Sequence, residues 1–288
     1  MQETAINWTE ITWNPASGCT KISEECKHCY AETIAEKYRG HGAFPRGFDV
    51  MVRPWKLDEP RRLRRPSLVF TNSMTDMFHD EIPDSYRDLV CDAMERYPQH
   101  RYQVLTKRPE TAARYAARRP LPRSMWLGVT LGHDKRRGRL DVLREIDAAV
   151  RFVSAEPLLT PLEDLDLSGI HWLITGGESG QHMSDPRIAE ERGLARRDPK
   201  TKRWTLREDR APWVRSVRDQ CVAAGVAYWH KQHGGVRPES AGRILDGRTW
   251  DEMPVSVPGA MPAAYDHGER NTFGRRRAAQ VALPVVSG

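Results

Sequence analysis

The chain has few cysteines, no long apolar run and no internal repeat, and each shortage narrows what it can be. No run reaches the roughly 18 apolar residues that a membrane-spanning helix needs. The N-terminus Met1-Gln2-Glu3-Thr4-Ala5 lacks a charged-then-apolar targeting pattern, so the expectation is a soluble, cytoplasmic protein without a membrane partner. The absence of repeats and low-complexity tracts argues against a solenoid or a disordered linker. Nor is the charge one-sided: 45 Lys and Arg stand against 39 Asp and Glu, a net +6 with a pI near 9.1. That excess permits a nucleic-acid partner without demanding one.

The five cysteines are unevenly spread. Cys19, Cys26 and Cys29 fall within Gly18-Cys19-Thr20-Lys21-Ile22-Ser23-Glu24-Glu25-Cys26-Lys27-His28-Cys29-Tyr30, whereas Cys91 and Cys221 lie far away in helix-like segments. Clustered cysteines in such a chain read as metal ligands. Three thiolates on an iron-sulfur cube leave one iron open, and an open iron suggests chemistry. A zinc site instead requires a fourth ligand from His28, His41 or a distant cysteine, and would make the chain a zinc-stabilised nucleic-acid- or protein-binding module without redox activity. No metal, or a disulfide that leaves one thiol unpaired, is the remaining alternative.

At 288 residues the chain suffices for one α/β barrel of about 250 residues. Short β-branched and aromatic runs recur at Ser67–Thr71, Tyr102–Thr106, Met125–Val129, Val150–Ser154, His171–Thr175 and Val226–His230. Continuous apolar runs of this length suit parallel strands buried on both faces. Helical stripes lie between them at Ser85–Tyr97, Glu110–Arg118, Arg139–Ala148 and Pro212–Ala224. The alternation predicts a parallel (β/α) barrel, partial or TIM-like, over residues 1–253, with the cluster loop at 18–30. Trp8 to Pro15 reads as the first strand, and Tyr30 to Tyr38 as the helix after the cysteines. Residues 189–210, densely charged, read as an exposed insertion, and 254–288 as a loosely ordered C-terminal extension.

Polar groups follow the strands in succession, and in a parallel barrel they collect at the C-terminal face. Asn72, Ser73 and Asp76 follow one strand; Lys107 and Arg108 the next; Glu156 a third; Gly176, Gly177, Glu178 and Ser179 a fourth; Lys231 and Gln232 the last. Lys107, Glu156 and Lys231 are candidates for proton transfer or carboxylate recognition, or for an ordinary ion pair across the mouth. Adjacent glycines let backbone amides approach a ligand, and Glu178 can accept from an ammonium or a ribose hydroxyl; a plain two-glycine turn is the alternative. Asn72, Ser73 and Asp76 are rival candidates for holding the same ligand.

The C-x6-C-x2-C spacing resembles a variant of the signature of radical S-adenosylmethionine enzymes, which bind a 4Fe-4S cluster whose open iron chelates the cofactor. It departs from the commonest form, C-x3-C-x2-C with an aromatic before the last cysteine, since here His28 precedes Cys29 and Tyr30 follows it. Gly176-Gly177-Glu178 resembles the element that binds the cofactor's amino group in those enzymes, although it follows a later strand. Trp13-Asn14-Pro15, the cysteine run, Asn72-Ser73-Met74-Thr75-Asp76, Gln103–Pro109, Trp126–Val129, Arg151–Leu159, Gly176–Gly180 and Leu245-Asp246-Gly247-Arg248 look like an uncharacterised bacteriophage and prophage family with a three-cysteine motif, over roughly residues 8 to 253. The resemblance implies a radical enzyme with a 4Fe-4S cluster and S-adenosylmethionine, reduced by an electron-donor protein. It also implies a phage setting, and with it a nucleic-acid or nucleotide substrate.

Overall fold

A computed structural model describes residues 1–255, 257, 260 and 261. The expected extension at 254–288 lies almost wholly outside the described residues. In chain order the first half holds β1 (Gln2–Glu3), β2 (Ile11–Trp13), β3 (Ala16–Ser17), α1 (Tyr30–Lys37), β4 (Met51–Val52), β5 (Leu68–Thr71), α2 (Asp84–Arg96), β6 (Arg101–Thr106) and α3 (Pro109–Arg118). The second half holds β7 (Met125–Thr130), α4 (Gly138–Glu145), β8 (Val150–Ala155), β9 (Trp172–Gly176), α5 (Pro186–Arg192), β10 (Ala195–Arg197), β11 (Trp204–Leu206), α6 (Ala211–Ala224) and β12 (Ala227–Gln232).

Eight strands form one open, curled sheet in the order β1-β2-β5-β6-β7-β8-β9-β12. Every pairing is parallel except the edge, where β1 runs antiparallel to β2. The architecture is a partial TIM-like barrel. The expected strands and helices all form, with ends shifted by up to three residues. Helix ends follow local chemistry: α2 starts after Pro83, and α6 stops at Gly225, whose φ of +67° suits a residue without a side chain.

Alternation along the strands sorts the apolar residues into two cores. Val69, Tyr102, Val104, Leu127, Val129, Val153, Leu173 and Tyr228 pack outward with helix residues such as Val90, Ala112, Leu140 and Val217. Phe70, Trp126, Phe152, Trp172, Ile174 and Trp229 face inward. Trp8 joins the inner group, its ring 4.7 Å from Phe70 and 6.0 Å from Trp172. Beside it Asn7 donates to the Lys231 carbonyl at 3.0 Å and accepts from Trp229 Nε1 at 3.2 Å. The segment before β2 therefore crosses the concave face and ties the first part of the sheet to the last strand. Gly128 is required on this wall, because a Cβ there would sit 2.4 Å from the Phe152 ring. Aromatic side chains thus fill the lower interior, and what remains for function is the C-terminal rim.

The charged insertion is shorter than its sequence suggests. Its exposed residues are chiefly those of the β10-β11 hairpin, with Arg196 and Arg197 in solvent, besides the acidic side chains Glu190, Glu191, Glu208 and Asp209. The flanks are anchored, however, and correct the expectation of an exposed segment over 189–210. Arg207 and Arg210 are buried and donate to the Glu190 carbonyl at 2.8 and 2.6 Å, closing the C-terminal end of α5.

Candidate functional site

The cysteine loop leaves the C-terminal end of the sheet after β2 and β3. Gly18 sets its entry: φ is +86°, and a Cβ would meet the Asp49 carbonyl at 2.1 Å. The Gly18 and Cys19 amides donate to Met74 and Phe48 carbonyls at 3.0 and 3.2 Å. All three clustered cysteines are free and partly exposed, whereas Cys91 and Cys221 are buried in α2 and α6. Burial raises the Cys91 thiol to about 11. At Cys26 burial also raises the thiol, but Lys107 and hydrogen bonds from Ser23 outweigh it and the net shift is downward.

Arginines from distant parts of the chain grip the loop. Arg108, after β6, donates to the Thr20 carbonyl at 3.2 Å, to Thr20 Oγ1 at 2.9 Å and to Cys19 Sγ at 3.6 Å. Arg139, after β7, donates to the Thr130 carbonyl at 2.8 Å and reaches Glu25 Oε1 at 3.4 Å. Arg192, at the end of α5, donates to the Glu24 carbonyl at 3.1 Å. None of the contacts that reach the loop is visible in linear sequence, since each of those spans between 88 and 168 residues.

The Gly176–Gly180 turn lies on the same rim and is joined to the loop through side chains. Glu178 is 7% exposed and accepts from Arg192 Nε at 2.5 Å, with His182 Nε2 at 3.1 Å from its other oxygen. The His182 ring stacks on His28 at 4.2 Å. The glycines have an internal reason: a Cβ on Gly177 would lie 2.0 Å from the His233 carbonyl, and one on Gly176 would lie 2.5 Å from Glu156 Oε1. The Gly177 amide donates to the Gln232 carbonyl at 2.9 Å. Ser179 Oγ accepts from Gln232 Nε2 at 3.1 Å.

The other expected residues divide by whether their polar atoms are already used. Asp76 accepts from Thr106 Oγ1, the Phe78 and Lys107 amides and Arg108, so its carboxylate is spoken for. Ser73 exchanges hydrogen bonds with Asn14. Asn72 differs. It closes β5 at φ +68°, is 4% exposed, and its amide oxygen has no partner among the described residues. Lys231 Nζ pairs with Glu156 Oε1 at 3.2 Å, and Ser154 Oγ donates to Glu156 Oε2 at 3.2 Å. Lys107 continues the inward alternation after Leu105, and its charge lowers the Cys26 thiol, whereas at Cys19 burial and the Asp76 carboxylate outweigh Arg108 and Lys107 and the net shift is upward.

Tyr30 completes the rim and was not among the sequence candidates, although it directly follows Cys29. Its hydroxyl donates to the Ser73 carbonyl at 2.7 Å, while the residue as a whole is 52% exposed. The rim thus gathers three thiols, a Lys-Glu pair, an unpaired amide oxygen and a phenol. Among the described residues no group of three or more His, Cys, Asp or Glu side chains surrounds one point as a single ion requires. A zinc ion needs four donors within about 2.3 Å of itself. A cube of irons takes its thiolates at separate corners, so it asks for three sulfurs on one loop and not for convergence on a single point.

The family described as Protein of unknown function (DUF5131) matches residues 3–192 and 204–254, leaving out most of the β10-β11 hairpin. No curated protein matches. Among solved structures, a cysteine-to-serine mutant of spore photoproduct lyase superposes with a TM-score of 0.50 at 14% identity, over 77% of this chain and 76% of that one. Spore photoproduct lyase complexed with dinucleoside spore photoproduct gives 0.47 at 14% over the same shares. A mutant with bound AdoMet and dinucleoside spore photoproduct gives 0.46, again at 14% over those shares. At this identity the likeness is one of fold.

Proposed function

We propose that this chain, which belongs to the family described as Protein of unknown function (DUF5131), is a radical S-adenosylmethionine enzyme acting on a nucleic-acid base. The observation that carries the reading is the placement of three free thiols on one loop over the C-terminal rim of a half-barrel. Cys19, Cys26 and Cys29 would hold a 4Fe-4S cluster. Bound there with S-adenosylmethionine, it would supply a radical able to remove a hydrogen atom from substrate.

The residues of this chain divide the remaining work. Asn72 offers an unpaired acceptor for an ammonium or hydroxyl, with Ser73 and Asp76 shaping the loop around it. Gly176, Gly177, Glu178 and Ser179 form the opposite wall. Their polar atoms are engaged with Gln232, Arg192 and His182, so they shape the site more than they contact a ligand. Glu156 and Lys231 form a proton-bearing pair, and Lys107 adds positive charge beside the thiols. A base as substrate is supported by the net charge of +6 and by the fold's likeness to a lyase named for a photoproduct. The phage setting implied by the sequence resemblance points the same way. The same reading calls for an electron-donor protein as a partner.

Anaerobic reconstitution tests the reading. The expected result is a brown protein with about four irons per chain that converts S-adenosylmethionine to 5′-deoxyadenosine under dithionite. A colourless protein that holds one zinc and leaves the cofactor intact would refute it.

A further inference from the structure

We infer that Arg108 is a positioning residue that anchors the start of the cysteine loop and sets the reduction potential of the cluster through Cys19. The second half of this inference rests on the iron-sulfur reading above; the first does not. Arg108 is 7% exposed, and its guanidinium is fully oriented. One nitrogen donates to both oxygens of Thr20, and the other lies 3.6 Å from Cys19 Sγ and 3.3 Å from Asp76 Oδ2. Asp76 is itself immobilised by Thr106 Oγ1 at 2.8 Å and by the Phe78 and Lys107 amides at 2.9 Å. Arg108 therefore cannot swing away from the sulfur without breaking several buried hydrogen bonds at once.

The chemistry follows from charge. A guanidinium stays protonated at any working pH and presents its donors in a fixed fork. Reduction by a one-electron donor places extra negative charge on the irons and their sulfurs. A positive group donating to one of those sulfurs stabilises the reduced form more than the oxidised form, and so raises the potential. Lys107 contributes charge as well, but no hydrogen bond joins it to a sulfur among the described residues. Arg139 and Arg192 hold the loop through Glu25 and the Glu24 carbonyl, not through a cysteine. The sulfur contact singles out Arg108.

The test compares wild type with R108Q and R108K. Iron is counted after anaerobic reconstitution, the midpoint potential is read by dithionite titration followed by electron paramagnetic resonance, and hydrogen exchange of the 19–29 segment is measured in the apo-proteins. R108Q is expected to shift the reduction equilibrium at least tenfold toward the oxidised form, about 59 mV for one electron, and R108K to recover part of the shift. In apo R108Q the segment should exchange several-fold faster than in wild type. An unmoved midpoint in an iron-loaded R108Q overturns the inference about potential; should R108Q take up no iron, R108K carries the same comparison. Wild type that loads no iron fails the iron-sulfur reading itself. The anchoring role is then decided by exchange alone, and unchanged exchange in apo R108Q overturns it.

Discussion

Removal of the Glu178 carboxylate separates a structural role for the glycine turn from a ligand-binding one. In Glu178→Ala the Arg192 guanidinium, 6% exposed, loses its partner at 2.5 Å and keeps the Glu24 carbonyl at 3.1 Å. Breaking a buried pair by deleting one member costs about 3–5 kcal/mol, because the remaining charge stays desolvated. With a urea slope near about 3 kcal/mol/M, the unfolding midpoint should fall by about 1 M or more. Lys27→Ala is the control, since the Lys27-Glu191 pair at 3.3 Å is half exposed on both sides and worth about 0–1 kcal/mol. Glu178→Ala combined with Arg192→Met should recover part of the loss, as no buried charge is left alone. If instead Glu178 serves a ligand, its removal leaves the apo-protein nearly as stable and appears only in cofactor affinity. A midpoint for Glu178→Ala no lower than that of Lys27→Ala would refute the reasoning.

The other expectations rest on separate features. Cys19→Ala, Cys26→Ala and Cys29→Ala should each abolish iron loading while Cys91→Ala and Cys221→Ala keep it; full iron in Cys26→Ala defeats the ligand assignment. Asn72→Ala should weaken S-adenosylmethionine binding about tenfold with iron unchanged, about the 1.4 kcal/mol of one good hydrogen bond, and calorimetric titration of the reconstituted protein would read it. Gly177→Ala forces a Cβ to 2.0 Å from the His233 carbonyl, so a loss of at least about 1–3 kcal/mol should appear as a lower thermal midpoint. His230 and His233 are buried in a chain from Thr175 Oγ1 at 2.9 Å, through the two rings 2.9 Å apart at their nitrogens, to the Ile244 carbonyl at 3.0 Å. Burial depresses both pKa values, so below about pH 6.5 the unfolded chain binds protons that the folded one refuses. Stability should therefore fall as pH drops from 7.5 to 5.5, and His230→Gln should flatten that slope; an equal slope in the variant contradicts the assignment.

Periodicity in the sequence was enough for the fold, because strands buried on both faces must be written as continuous apolar runs and their helices as stripes. The three-cysteine spacing is likewise visible in linear sequence, because thiolates close along the chain need no long-range information to be seen together, although among the described residues they do not converge on one point. Their surroundings were not legible. Glu178 reads in sequence like a ligand-facing carboxylate beside two glycines, yet the glycines make room for the His233 carbonyl and for Glu156, and the carboxylate is bound by Arg192 and His182. Asp76 reads like a rival, yet Arg108, Thr106 and two amides use its oxygens. Asn72 stands out only once its neighbours are placed and its amide oxygen is left without a partner. Likewise Trp8 reads as an ordinary residue before a strand, but the curl of the sheet brings it onto Phe70 and Trp172. Residue type and spacing decide what can pack or ligate, whereas which polar atoms remain free is decided by pairings across the chain, such as Cys19 with Arg108 and Glu24 with Arg192, that only the tertiary fold creates.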